Sequence, residues 1–119
     1  MPGRLSTHVL DTARGAPARG VAIELYWFDP TGVPVRLKVC TTNQDGRTDA
    51  PLLAGDALAA GVYELVFFAG DYFRATGVAL PEPPFLDRIV VRFGIADPLA
   101  AYHVPLLLSP YGYSTYRGS

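Results

Sequence analysis

The sequence predicts an antiparallel β-sandwich, and three observations lead to that prediction. Several short runs alternate apolar and polar residues with the two-residue period of a strand that buries one face. Turn-forming residues separate these runs, since the 119 residues include 12 Gly and 11 Pro. No stretch sustains the 3.6-residue period of a long helix. Six or more short strands with so little helix favour two packed sheets, and the length is that of one domain spanning 1–119.

The first two clear strands form a hairpin in this prediction. Residues 21–27 alternate apolar and polar side chains, and the segment 29–32 (DPTG) then turns the chain. Residues 35–40 repeat the alternation in the clearest half-buried strand of the sequence. The turn residues at 43–46 (NQDG) end that strand, so the two runs pair most simply with each other.

The middle of the chain predicts a connection, a central strand and the one short helix. Residues 49–61 mix Pro, Gly and small residues, which indicates a connection with at most a short irregular strand or turn. Residues 62–68 are rich in β-branched and aromatic residues at both odd and even positions, which predicts a strand covered on both faces. Asp71 and Gly77 provide an N-cap and a C′ glycine for one to two helical turns.

Three further strands complete the predicted sandwich. Residues 89–95 alternate and end at Asp97-Pro98. Residues 102–108 include Pro105, which cannot donate a hydrogen bond to a ladder, so we expect an edge or bulged strand there. Residues 111–116 alternate Tyr and Thr with smaller residues and form the last strand.

The composition argues against several functional classes. Half of the residues are hydrophobic and 18% are charged, which is unlike a disordered chain. The 10 Lys and Arg nearly balance the 11 Asp and Glu, which is unlike a nucleic-acid-binding protein. No apolar run reaches the roughly 18 residues that a membrane span needs. The first residues lack the pattern of a secretory signal, so we expect a cytoplasmic protein.

Four side chains are the candidates for chemistry within the strands and loops. His8 and His103 change charge near neutral pH, but each has apolar neighbours and could instead be a polar residue satisfied by backbone or solvent at a sheet edge. Arg47 follows a turn, as solvated loop arginines do. Cys40, the single cysteine, excludes an intramolecular disulfide and is expected to be structural. Two histidines without a carboxylate or thiolate cluster do not predict a metal site.

The carboxyl terminus concentrates groups that bind ligands. The residues are Tyr116, Arg117, Gly118 and Ser119. They supply a phenol, a guanidinium, a glycine that permits close backbone approach, and a hydroxyl beside the α-carboxylate. Such a cluster is suited to a small planar ligand rich in carbonyl and N–H groups.

Four segments resemble the 5-hydroxyisourate hydrolases, the enzyme branch of the transthyretin-like proteins. They are LSTHVLD (5–11), NQDGRT (43–48), YHVPLLLSP (102–110) and YRGS (116–119). The resemblance extends over essentially the whole chain. It implies a prealbumin-type sandwich of two four-stranded antiparallel sheets with one short helix, which agrees with the fold class that the strand pattern predicts.

The resemblance also implies an activity and an assembly. The implied reaction is the hydrolytic ring opening of 5-hydroxyisourate, a product of urate oxidation in purine degradation, to 2-oxo-4-hydroxy-4-carboxy-5-ureidoimidazoline. It would proceed by general acid–base activation of water, with no metal and no cofactor. The implied assembly is a homotetramer of two dimers, with active sites in a channel between the dimers and with neither nucleic acid nor membrane as a partner. The implied catalytic residues are His8, Arg47, His103 and Ser119, and the implied substrate-binding residues are Tyr116, Arg117 and Gly118.

Two other functional classes remain open for this sequence. A carrier resembling transthyretin would bind a hydrophobic hormone in the same channel, but it predicts an apolar lining, whereas two imidazoles and two guanidinium groups are expected here. A sandwich module used only in adhesion or assembly would leave the polar carboxyl terminus unexplained. Accelerated decay of 5-hydroxyisourate would indicate the enzyme, and saturable hormone binding without acceleration would indicate the carrier.

Overall fold

The computed structural model describes residues 3–118, which build a sandwich of two β-sheets. A 3₁₀ turn (Gly55–Ala57) lies between the fifth and sixth strands. The elements are β1 (Arg4–Asp11), β2 (Ala16–Pro17), β3 (Ala22–Phe28), β4 (Pro34–Thr41), β5 (Leu53–Ala54), β6 (Gly61–Phe68), α1 (Ala69–Ala75), β7 (Arg88–Ile95), β8 (Ala101–Ser109) and β9 (Gly112–Thr115). The expected connection at 49–61 therefore contains only β5 and the 3₁₀ turn.

The two sheets differ in strand count and in strand direction. One sheet has the order β4-β3-β6-β7 and is antiparallel throughout, so the predicted β3–β4 hairpin is confirmed. The expectation that β4 is half-buried is wrong, because β4 is an edge strand whose apolar side chains Val35, Leu37 and Val39 are exposed in the single chain. The other has the order β2-β1-β8-β9, and β5 also pairs with β1. This second sheet has five strands rather than the expected four, because two strands of only two residues each pair with β1. The predicted sandwich is confirmed, although β1 and β8 run parallel.

The core lies between the sheets and determines which side chains face outward. Leu5 and Val9 of β1 and Leu106 of β8 are fully buried. Because side chains alternate along a strand, the residues between them, including Ser6 and His8, lie on the outer face of the same sheet. The hydrophobic packing of β1 and β8 therefore positions this outer face.

The predicted strand at 62–68 is central, but only one of its faces is buried. Tyr63 is buried, whereas Val62 on the outer face is 42% exposed. The expectation of coverage on both faces is wrong, because nothing within residues 3–118 packs as a second layer on the outer face. Arginines cover some of the outer aromatic surface instead, as the guanidinium of Arg88 lies 4.8 Å from the ring centroid of Phe68.

The expectation of an edge or bulged strand at Pro105 is wrong, because β8 lies within a sheet and neither of its ladders shifts register. β8 lies between β1 and β9. The β8–β9 ladder ends at the pair of Leu106 with Thr115 and resumes only at the bridge of His103 with Gly118. Pro105 occupies the interruption, where a missing N–H removes no ladder hydrogen bond.

The helix begins earlier than the sequence suggests. Its N-cap position is Phe68, and no side chain caps it, whereas Asp71 lies in the first turn and pairs with Arg74 at 3.2 Å. Gly77 follows the helix with φ of +85°, as expected of a C′ glycine. Within residues 3–118 no helix has the length and hydropathy needed to cross a bilayer.

Candidate active site

The parallel pairing of β1 and β8 brings the two histidines to one sheet face. Ser6 lies opposite His103 in the ladder, and His8 lies opposite Pro105. Because side chains alternate along β1, Arg4 shares the outer face with Ser6 and His8. Strands from opposite ends of the chain thereby form one polar surface.

A tight turn holds Arg47 beside this surface. Arg47 forms an antiparallel bridge with His8, and its backbone N–H donates to Asn43 Oδ1 at 3.2 Å. Gly46 has φ of +73°, and its carbonyl accepts a hydrogen bond from the Val9 N–H at 2.8 Å. A side chain at this position would collide with the Val9 carbonyl oxygen. Glycine is therefore required for the turn to lie this close to β1.

The same turn orients His8. Its Nε2 donates a hydrogen bond to the carbonyl oxygen of Asp45 at 2.8 Å. Because a carbonyl oxygen only accepts, the proton resides on Nε2 and the neutral ring keeps its lone pair on Nδ1.

His103 is half-buried and contacts Ser6. Its Nδ1 lies 2.8 Å from the Ser6 hydroxyl oxygen. Burial lowers the pKa of His103, and the positive charges of Arg47, His8 and Arg4 lower it further. Both effects disfavour the imidazolium, so His103 is suited to accept a proton near neutral pH.

Gly118 packs directly against His103. Its backbone N–H donates to the His103 carbonyl oxygen at 2.8 Å. A Cβ at position 118 would lie 2.6 Å from His103 Cδ2, which is closer than carbon atoms approach. The absence of a side chain at Gly118 therefore gives the imidazole its space.

The described residues next to Gly118 have different surroundings from one another. The Arg117 guanidinium lies 4.3 Å from the Tyr102 ring centroid, and its Nη2 donates to the Ala101 carbonyl oxygen at 3.3 Å. Tyr116 is 60% exposed. Ser119, an expected catalytic residue, lies outside the described residues.

An open, polar cavity of about 270 Å³ lies at the centre of this surface. Its lining consists of Arg4, Ser6, Arg47, Ala101, Tyr102 and His103. A second cavity of about 230 Å³, mostly apolar, is lined by Tyr116 and Arg117 together with residues of β7 and β8. Within one chain, the structure thus brings Arg47 and His103 to one cavity and directs Tyr116 toward another.

Two residues of the polar cavity, Arg4 and Ser6, are not among the candidates predicted from the sequence. Their spacing could have identified them, because residues two and four positions before His8 lie on the same face of a strand. A seryl hydroxyl and a second guanidinium therefore belong to the site.

Within the described residues, neither a metal site nor a nucleophilic thiolate is favoured. Within residues 3–118, no group of three or more His, Cys, Asp or Glu side chains could hold a metal ion. Burial raises the pKa of the Cys40 thiol, which disfavours the nucleophilic thiolate.

The sequence matches a family and its relatives along nearly its full length. Residues 5–118 match the model of the HIUase/Transthyretin family. A 5-hydroxyisourate hydrolase 2 of Rhizobium meliloti (strain 1021) is 60% identical over 117 residues, which cover 98% of this chain and 97% of that protein. A 5-hydroxyisourate hydrolase of Pseudomonas aeruginosa is 60% identical over 118 residues, covering 98% and 92%.

Solved structures share the fold. The 5-hydroxyisourate hydrolase of Klebsiella pneumoniae superposes with a TM-score of 0.81 at 34% identity, covering 98% of this chain and 99% of that one. An (S)-allantoin synthase gives 0.94 at 45% identity, with 99% of this chain covering 44% of that longer protein. Sea bream transthyretin in complex with thyroxine gives 0.87 at 27% identity, covering 97% and 94%. By sequence and by fold, the chain belongs to the HIUase/Transthyretin family.

Proposed function

We propose that this chain is a hydrolase that opens the ring of 5-hydroxyisourate in urate degradation, giving 2-oxo-4-hydroxy-4-carboxy-5-ureidoimidazoline. The observation that carries the proposal is the polar cavity in which His103, Arg47 and Ser6 meet. The relatives at 60% identity carry the name of that hydrolase, which supports the assignment.

The chemistry of ring opening fits the residues of the cavity. Hydrolysis of a cyclic amide needs an activated water, stabilisation of an oxyanion and a proton for the leaving nitrogen. His103, with His8 nearby, positions water and takes its proton, since its pKa is lowered and the neutral ring predominates near pH 7. Arg47 stabilises the charge that develops on the attacked carbonyl oxygen. The proton that His103 takes from water then passes to the leaving nitrogen as the C–N bond breaks, so the proposed mechanism needs neither a metal nor a cofactor.

The terminal residues bind and orient the substrate in this proposal. Arg117 clamps the substrate, and Tyr116 shapes and closes the pocket. Gly118 allows the chain end to approach His103, to which it is already hydrogen-bonded. Ser119 and its carboxylate orient the water or relay a proton.

We further propose a homotetramer of two dimers, with active sites between dimers. Two features support it: β9 is exposed along its whole length, and Tyr113 and Tyr116 are 46% and 60% exposed. Tyr116 also lines a different cavity from the polar one in its own chain, so a second chain is well suited to close the polar cavity. The single cysteine, which forms no disulfide within the chain, suits a reducing compartment, and we propose the cytoplasm.

The competing function is that of a carrier. The superposition with thyroxine-bound transthyretin, at 27% identity, is the observation that favours a carrier. A site for a hydrophobic hormone is expected to be apolar. Two guanidinium groups, a hydroxyl and an imidazole line the cavity here, which favours the hydrolase.

Ultraviolet absorbance distinguishes the two functions. Urate oxidase generates 5-hydroxyisourate in the cuvette, and the protein is added in catalytic amount. The hydrolase predicts accelerated, saturable decay of the intermediate. Decay at the spontaneous rate, together with saturable binding of thyroxine, would instead identify a carrier.

The histidines provide the second test. General acid–base assistance contributes about 10²- to 10⁴-fold, so His8→Ala and His103→Ala should each lower kcat by that order. Size-exclusion chromatography should give the wild-type elution volume for both variants. Wild-type turnover by both would refute the assigned roles.

A further inference from the structure

The contact between Ser6 and His103 is unused by the mechanism described so far. The Ser6 hydroxyl oxygen lies 2.8 Å from His103 Nδ1. The two residues are 97 positions apart in sequence but directly opposite each other in the β1–β8 ladder. A hydroxyl fixed by the ladder is held in a defined place relative to the imidazole, as a positioning residue must be.

Two contacts fix the imidazole from different sides. Ser6 engages Nδ1, and Gly118 packs so closely that a Cβ there would lie 2.6 Å from Cδ2. Within residues 3–118 Nε2 of His103 makes no hydrogen bond, which leaves that nitrogen for a water or a substrate. The ring is therefore restrained in rotation while one nitrogen stays free for chemistry.

We propose that Ser6 is a positioning residue: its oxygen accepts a hydrogen bond from Nδ1–H of neutral His103, which leaves the Nε2 lone pair to take the proton from water. This inference rests on the proposed function and adds a residue to its site. A hydroxyl can accept from the ring while its own proton is donated elsewhere, and Ser6 lines the cavity, where solvent provides an acceptor.

The same contact gains strength during the reaction. When Nε2 takes the proton, His103 becomes an imidazolium that still donates through Nδ1–H to Ser6. A hydrogen bond from a charged donor is roughly twice as strong as one between neutral groups. Ser6 therefore stabilises the transition state more than the ground state, and its loss lowers kcat rather than raising KM.

Substitution separates this role from a structural one. Ser6→Ala should lower kcat about 10- to 100-fold, the range expected for one hydrogen bond to a charged group, with KM changed less than about twofold. Ser6→Thr keeps the hydroxyl and should recover most of the activity. Ser109→Ala is the matched control, because Ser109 lies on β8, the strand of His103, but its hydroxyl donates to the Gly112 carbonyl oxygen at the far end of that strand.

Nitrogen-15 NMR of the imidazole groups tests the contact without substrate. Neutral His103 should be protonated at Nδ1 in the wild type, and Ser6→Ala should reduce that preference while the signals of His8 stay unchanged. Wild-type His103 protonated at Nε2, wild-type kcat in Ser6→Ala, or Ser6→Thr as impaired as Ser6→Ala would each overturn the proposal. An inactive wild type would overturn the proposed function, and the NMR result would still decide the role of Ser6 at His103.

Discussion

The fit between Gly118 and His103 makes Gly118→Ala the most informative substitution in the site. A Cβ at position 118 would lie 2.6 Å from His103 Cδ2 and 3.3 Å from its Cβ and Cγ. Carbon atoms in contact are normally about 3.5–4.0 Å apart, so the imidazole must move by about 1 Å. Such a displacement of a reacting group costs about 10²-fold in rate, which corresponds to about 2.7 kcal/mol of transition-state stabilisation.

A shift of the backbone at residue 118 would also disturb the site. If residue 118 moves instead of the ring, the hydrogen bond from its N–H to the His103 carbonyl oxygen breaks and the chain end loses its contact with His103. Stability should change little, because Gly118 has no positive φ and an alanine fits that backbone conformation.

The assay compares kcat and the thermal unfolding midpoint of Gly118→Ala with those of Gly112→Ala. Gly112 also lacks a positive φ, and a Cβ there would meet nothing closer than the Ser109 hydroxyl at 3.8 Å, so this control should keep both values. Wild-type kcat in Gly118→Ala would show that the imidazole position is immaterial and would refute the reasoning.

Three further variants test the charge, the stability and the chain end. Arg4→Gln removes a positive charge that lowers the pKa of His103, so the pKa of His103 should rise and the acid limb of the kcat/KM profile should move to higher pH. The control Arg19→Gln, at an exposed position, should leave the acid limb unchanged. An acid limb that does not move in Arg4→Gln would contradict the electrostatic explanation. Tyr72→Phe removes the 2.8 Å hydrogen bond to buried Asp11, and urea unfolding should show a loss of about 1–3 kcal/mol in the free energy of unfolding, with kcat unchanged; unaltered stability would contradict this. Deleting residues 117–119 removes polar groups but little apolar surface, so turnover should vanish while the melting curve measured by circular dichroism stays the same. A normal rate in the truncated protein would show that these residues have no role in catalysis.

The local pattern of the sequence predicts most strands but not how they are paired. The sequences of β3, β4 and β7 alternate apolar and polar residues, so periodicity predicts that these strands exist. Periodicity does not predict burial, since β3 and β7 bury one face whereas β4 is exposed. The parallel pairing of β1 with β8 joins residues 97 positions apart and follows from packing of the whole chain. Pro105 was misjudged for the same reason, since its tolerance inside the sheet depends on the interruption between Thr115 and Gly118.

The site was predictable to the extent that its residues carry recognisable motifs. His8, Arg47 and His103 stood in segments that resemble the hydrolases, and the structure brings the three close enough for the charges of the other two to lower the pKa of His103. Ser6 lies in the same segment as His8, but the sequence does not single it out, because its importance arises from the ladder partner that faces it. A single chain also leaves Tyr116 beside a separate cavity, so its role depends on an assembly.

Turnover of 5-hydroxyisourate should be measured as initial rates for the wild type and for His103→Ala, side by side at catalytic protein concentration. If His103 is the base of a ring-opening hydrolase, the wild type shows saturable turnover and the variant is about 10²- to 10⁴-fold slower. Equal rates for the two proteins, or a wild-type rate no greater than the spontaneous decay, would contradict it.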